Sequence, residues 1–369
     1  MKSALQARLL PFVVLTLALG CARVPGDRTV LHQPEAMIPG SFGQIISVAE
    51  LRDGRVALAD FRTRLFLLAG FDGKVDTVGH HADSIATADS APGLHKLPGF
   101  IVHLAGDTLV LVDFATQRAT LWNEQGQFIR TLRTVPVAGY NPAVVYDTLG
   151  HAYKADYRAI MGGLNPGETV HLDSAPVLRF ARELAATADT LSMLRLPAMG
   201  EGQFGEEKKT VPVVFDPSDA FGATPDGWVW VARASSNSVD WRSPDGKWTA
   251  GVSRPWVRIP VTDADRERFM ATARANGMNL QTGVRFPFAA NKPPFSSSTT
   301  GQDGTVWLQR SRAIGDSVPV YDVIARGGAA VRTIQLPKGA SLAAVGRNGS
   351  IYVLLREGDL QKVGRYQLK

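Results

Sequence analysis

Asp226-Gly227-Trp228-Val229-Trp230-Val231 is the stretch on which the fold turns. Asp-Gly is what a tight hairpin asks for, because positive φ costs little there. The aromatic and β-branched run behind it belongs in a strand. The same phrase, a turn ending in Gly and then four to six β-rich residues, occurs five more times. The copies are Asp53-Gly54-Arg55-Val56-Ala57-Leu58-Ala59, Ala105-Gly106-Asp107-Thr108-Leu109-Val110-Leu111-Val112, Leu149-Gly150-His151-Ala152-Tyr153, Asp303-Gly304-Thr305-Val306-Trp307-Leu308 and Asn348-Gly349-Ser350-Ile351-Tyr352-Val353. Their glycines are spaced 52, 44, 77, 77 and 45 residues apart. The short spacings suit one four-stranded unit, and the long ones require about 30 inserted residues.

Working outward, each copy is followed by a second candidate hairpin. These are Leu65–Val78 around Asp72-Gly73, Ala119–Leu132 around Gln125-Gly126, Val177–Leu196 around an Ala-rich turn, Val239–Val252 around Asp245-Gly246, and Val320–Leu336 around Gly327-Gly328. The sixth copy has room for only one more strand, near Gln361–Leu368, and Thr29–Gln33 is the segment expected to supply its fourth. Strands from both ends would then close a circle and remove the open edges. The expected fold is all-β: a six-bladed β-propeller of four-stranded antiparallel blades, closed by an N-terminal strand, with a short helical insertion. A β-sandwich or barrel with coincidental Asp-Gly turns is the competing architecture. The repeats resemble six-bladed propellers of the NHL/TolB-like kind, including bacterial propeller lipoproteins. The resemblance covers residues 29–369 and is architectural, since no Trp-Asp dipeptide marks the repeat.

The chain has 369 residues, 45% apolar and 20% charged, with 36 Gly, 22 Pro and a single cysteine, Cys21. That apolar content excludes disorder as the overall state, and one cysteine excludes an internal disulfide and paired-cysteine zinc sites. Lys2 and Arg8 precede an uncharged Leu9–Gly20, too short to span a bilayer as a helix. Ala18-Leu19-Gly20-Cys21 then looks like a bacterial lipobox, which implies cleavage before Cys21 and lipidation of its thiol. An ordinary signal peptide with a chance cysteine is the alternative. The expected division is residues 1–20 as signal, 21–28 as lipidated tether and 29–369 as propeller, with an insertion at 262–294. By resemblance to the sorting rule of Gram-negative lipoproteins, in which Asp at this place favours inner-membrane retention, Ala22 implies the outer membrane, facing the periplasm. The mature chain would keep 38 basic and 34 acidic residues without a Lys/Arg run. Nucleic acid is not an expected partner.

If the tight glycine turns form one face of the disc, the longer segments 79–97, 156–176, 198–218 and 262–294 all fall on the other. Loops on a rigid scaffold are where binding residues tend to sit. Within the last segment, Thr262-Asp263-Ala264-Asp265 can cap a helix that runs through Arg266–Ala275, with Phe269, Met270 and Ala273 on one side and Asn276-Gly277 as its stop. An aromatic arm from Arg285 to Phe295 follows. Helix and arm read either as a lid or as a structural plug against blades four and five. The same face collects the residues that end each second strand: Asp60, Asp113 and Asp156, then Arg233 and Arg310, with Arg356 near the sixth place. Acids on one half and arginines on the other describe a dipolar mouth for a polar or zwitterionic ligand. Equally, strand-end charges exist to satisfy neighbouring backbone and side chains.

His80-His81 with Asp83 and His95 offers metal-capable groups on one loop, but no spacing fixes them. Five of the seven tryptophans fall in 228–256, as a sugar platform or as packing between blades. No Gly-x-Ser-x-Gly, His-Glu-x-x-His or P-loop motif is present. The reading reached is a membrane-anchored, non-enzymatic module that binds an envelope protein or a small polar ligand through its elaborated face, without a cofactor. The alternative is a metal-dependent hydrolase or lactonase of the six-bladed type, with Asp60, Asp113 and Asp156 around Ca²⁺.

Overall fold

In the computed structural model, five of the six repeat turns place their glycine in the left-handed region, with φ between 79° and 88°. Only glycine adopts that conformation without a steric penalty, so the turn phrase does fix the hairpins. The structure describes residues 28–82, 92–104, 108–116, 118–132, 145–157, 173–181, 188–275, 278, 280 and 283–368. The signal segment, Cys21, most of the tether, Gly106, Asp83 and Asn276-Gly277 lie outside these. Among the described residues no helix is long and apolar enough to cross a membrane.

The strands pair into six four-stranded antiparallel blades. Blade one is Ile45–Glu50, Val56–Asp60, Leu65–Ala69 and Val75–Val78; blade two is Pro98–Leu104, Thr108–Asp113, Arg118–Asn123 and Phe128–Leu132. Blade three is Val145–Tyr146, Ala152–Ala155, Ser174–Phe180 and Ala188–Arg195; blade four is Ala220–Ala223, Val229–Arg233, Ser238–Arg242 and Trp248–Thr249. Blade five is Phe295–Thr300, Val306–Arg310, Val320–Ile324 and Ala330–Gln335. Blade six takes Ser341–Val345, Ser350–Glu357 and Leu360–Gln367 from the C-terminal end and Ala36–Met37 from the N-terminal end. The inner strand of each blade neighbours that of the next, and blade six returns to blade one.

An N-terminal strand closes the ring, but not the expected one. Arg28–Val30 pairs in parallel with the outer strand of blade five, and Ala36–Met37 completes blade six against Gly364 and Arg365. The two-residue strand is extended by Glu35 N–H to the Arg365 carbonyl (2.8 Å) and Ile38 N–H to the Val363 carbonyl (3.0 Å). Ile38, buried between blades six and one, adds apolar burial to that closure.

The core lies between the blades rather than at one centre. Trp122 fills the seam of blades one and two, Trp230 and Trp241 that of four and five, and Trp307 with Tyr321 and Tyr366 that of five and six. Two members of the tryptophan cluster are therefore packing: Trp230 and Trp241 are fully buried, and the Trp230 indole N–H donates to Thr300 Oγ1 across the seam at 3.0 Å, whereas Trp248 is exposed. The seam between blades three and four is thinner, divided into one group around Val177 and Val231 and another around Tyr153 and Val229.

Two insertions on the elaborated face fold together. Met199–Phe204 and Glu207–Pro212, within the long segment 198–218, form a hairpin between blades three and four. The helix Asp263–Ala275 and the arm behind it connect blades four and five. Gln203 bridges to Arg285 and Val214 to Phe288, so the arm pairs with the hairpin region. Phe269 on the helix stands edge-on to Phe286 and Phe288, with ring centres 5.3 and 5.6 Å away. The aromatic arm is thus the small core of a cap.

Candidate functional site

The predicted aspartates are held by backbone. Asp60 is 1% exposed; its Oδ2 accepts the Gly43 N–H at 2.7 Å, and its Oδ1 accepts those of Gln44, Arg62 and Thr63 at 2.9–3.2 Å. Burial pushes its pKa up, but those donors together hold it below the ordinary value. Asp113 repeats the device, accepting from Lys96 (2.6 Å), Leu97 (3.3 Å), Ala115 (2.9 Å) and Thr116 (3.1 Å). Each carboxylate ties the segment entering the inner strand to the turn that follows the second strand. Asp156 is buried and is not a free group; its backbone N–H donates to Pro176. Lone pairs turned to four amide donors do not suit a cation. Among the described residues no group of three or more His, Cys, Asp or Glu side chains could hold a metal ion. The three-aspartate Ca²⁺ site is not assembled.

The arginines are paired. Arg233 donates to Asp219 (2.9 Å), Asp240 (2.8 Å), Ser192 Oγ (3.1 Å) and the Met193 carbonyl (2.7 Å). Asp219 in turn accepts the Ala234 and Arg195 N–H groups. Arg310 binds Asp322 through Nε and Nη2 at 2.7–3.1 Å, along its own blade. Arg356 is exposed at the end of blade six. Arg233 and Arg310 are thus engaged within their blade or the segment that leads into it.

The histidine loop is brought together in the backbone, His81 lying opposite His95. His80–His81 and Leu94–His95 form a short parallel pair, with His80 and His81 exposed and His95 buried. The His95 ring meets the Arg64 carbonyl at 3.2 Å, and burial lowers its pKa.

What the elaborated face does build is a cavity of about 650 Å³ between the cap and blades four and five. Its cap side carries Arg268, Phe269 and Thr272 from the helix. The helix start is a reciprocal capping box: Asp265 Oδ2 accepts the Thr262 N–H at 3.0 Å, and Thr262 Oγ1 accepts the Asp265 N–H at 3.3 Å. Asp265 is 5% exposed and pairs with Lys292, whose Nζ also donates to the Arg312 carbonyl at 2.7 Å. Burial raises the Asp265 pKa, and the Lys292 and Thr262 bonds outweigh it, leaving the group below its ordinary value. Lys292 therefore latches the cap to the turn after the second strand of blade five. The blade side offers Ser296, Ser297 and Ser298 at the start of the inner strand, with Arg312 and Asp316 beside them.

Of these lining residues only Asp265 and Phe269 stand out in the sequence, as a helix cap and an apolar helix position, and neither as a ligand group. They sit on insertions and turns outside the repeat, and the Ser296-Ser297-Ser298 run opening an otherwise apolar strand position was the one signal available. No family model matches the chain, and no curated protein matches it in sequence. Among solved structures, it is similar to a calcium-binding protein, regucalcin, from Agrobacterium tumefaciens: 10% identity over 92% of this chain and 98% of that one, TM-score 0.44. A gluconolactonase from Xanthomonas campestris shares 12% identity over 92% and 97%, TM-score 0.42. A protein of unknown function from Bacteroides thetaiotaomicron shares 14% over 92% and 73%, TM-score 0.43.

Proposed function

We infer that this propeller is a binding module, tethered to a membrane by a lipidated Cys21, that holds a small polar ligand in the cavity under its cap. The cavity carries the reading. Its volume of about 650 Å³ falls in the range of small-molecule sites, roughly 300–1,000 Å³. One wall comes from the repeat and the other from insertions that the ring does not need for closure. The polar groups available there are hydroxyls, the guanidiniums of Arg268 and Arg312 and the carboxylate of Asp316, which bind and orient. The lack of a recognised nucleophile motif in the sequence supports binding rather than turnover. The same face, displayed on the periplasmic side of the outer membrane, is also where an envelope partner would read the liganded state.

Filling the cavity tests this. Thr272 lines it from an exposed helix position, so Thr272→Trp adds bulk without opening the core. Native mass spectrometry of gently purified wild type is expected to show a retained small molecule that Thr272→Trp lacks. Equal retention by both proteins, or retention by neither, would remove the cavity as the site. For the anchor, Cys21→Ser is expected to move the protein from the detergent phase to the aqueous phase; unchanged partitioning contradicts lipidation.

A further inference from the structure

Three acids in the cavity lining are already matched. Asp216 pairs with Arg195, Asp219 with Arg233 and Asp265 with Lys292. The basic residues are not matched in the same way. Arg268 projects from the exposed side of the helix, and Arg312 from the turn after the second strand of blade five. Among the described residues neither guanidinium has an ion-pair partner. Two uncompensated cations face one unpaired carboxylate, Asp316, which accepts the Val318 N–H. Arg312 is also presented firmly, because its own carbonyl accepts from the nearly buried Lys292 Nζ.

The blade wall adds hydroxyls by a local irregularity. The inner strand of blade five shifts register between Phe295, opposite Arg310, and Ser297, opposite Gln309, which leaves Ser296 as a bulged residue. Blade one has the same bulge in the same place, between Ile45, opposite Asp60, and Ser47, opposite Ala59. There the extra residue is Ile46, packed against an apolar cluster. A bulge re-aims a side chain. Blade one uses it for packing, and blade five turns an exposed serine toward the cavity beside Ser297 and Ser298.

Resting on the cavity reading above, we propose that the ligand is a small organic oxyanion bearing hydroxyl groups, a carboxylate or a phosphate ester. Arg268 on the cap and Arg312 on blade five take the anionic group between them, and the Ser296–Ser298 hydroxyls meet its polar body. Guanidinium forks are suited to this task, since they bind carboxylate and phosphate oxygens in pairs. One arginine lies on each wall, so the ligand also bridges the cap to the ring.

The test uses isothermal titration of the purified chain with citrate, glucose 6-phosphate, inorganic phosphate and neutral glucose. Wild type is expected to bind citrate or glucose 6-phosphate. Arg268→Ala and Arg312→Ala should each weaken that binding about tenfold or more, with unchanged thermal unfolding, and Arg268→Lys should recover part of it. Citrate against glucose 6-phosphate decides between carboxylate and phosphate ester. Binding of an anion that both alanine variants retain in full overturns the proposal, as does the failure of all three anions at millimolar concentration. Glucose binding that Thr272→Trp abolishes and the arginine variants keep would overturn the anion and leave the cavity as the site.

Discussion

Blades one and two end their second strands in aspartate, whereas blades four and five end theirs in arginine, and the two halves solve one problem in opposite ways. In blades one and two the carboxylate stands at the strand end and collects amide groups from the segments on either side of it. In blade four the carboxylate has moved to Asp219, just before the inner strand, and accepts the amide of Ala234 just after the second. Arg233 then neutralises it. In blade five, by contrast, Arg310 pairs with Asp322 on the third strand of its own blade, so the shifted acid bridge belongs to blade four. The guanidiniums of Arg268 and Arg312 lie beside these strand ends, on the cap and its adjoining turn.

The comparison can be broken first at the aspartates. Asp60→Ala and Asp113→Ala each strip the acceptors from four amides, and each should cost about 3 kcal/mol in urea unfolding. A loss below about 1 kcal/mol for both would mean that water replaces the carboxylate and the bridge is not structural. Arg233→Ala leaves the nearly buried Asp219 without its cation and should cost about 2 kcal/mol. Arg310→Ala removes a half-exposed pair within one blade and should cost less than about 1 kcal/mol. Equal losses at Arg233 and Arg310 would erase the distinction between them.

Acid sharpens the same contrast. The Asp60 pKa is lower in the folded chain than its ordinary value of 3.8, so the stability it adds is complete above that value. It is lost as pH falls below 3.8 through the lower folded value. Wild type should thus lose stability more steeply below about pH 4 than Asp60→Asn, measured by urea midpoints; parallel acid limbs would assign the shift elsewhere.

Much of the ring was legible because its turns demand particular residues. Asp-Gly or Asn-Gly at Gly54, Gly227, Gly304 and Gly349 states a backbone conformation, and the strand behind it is fixed by the hairpin. Closure was legible in kind but not in place. Thr29–Gln33 carries the stronger β propensity, yet the fourth strand of blade six is Ala36–Met37, a short edge strand set by backbone bonds and by the burial of Ile38. The Met199–Pro212 hairpin was hidden because its alternation is weak, and its stabilising pairs, such as Lys208 with Glu201, are exposed polar ones. Residue type located the charged strand ends around the ring, but the amides and acids that engage Asp60, Asp113, Arg233 and Arg310 come from other segments, which residue type does not record. The cavity depends on two insertions, one on each side of blade four, meeting in space, which no local pattern records.

The most direct test of the ligand site compares three proteins for a co-purifying small molecule by native mass spectrometry: wild type, Asp60→Asn and Thr272→Trp. The account predicts that wild type and folded Asp60→Asn retain the same ligand and Thr272→Trp retains none. Retention by Thr272→Trp with loss in Asp60→Asn would return the site to the charged strand ends and contradict the account.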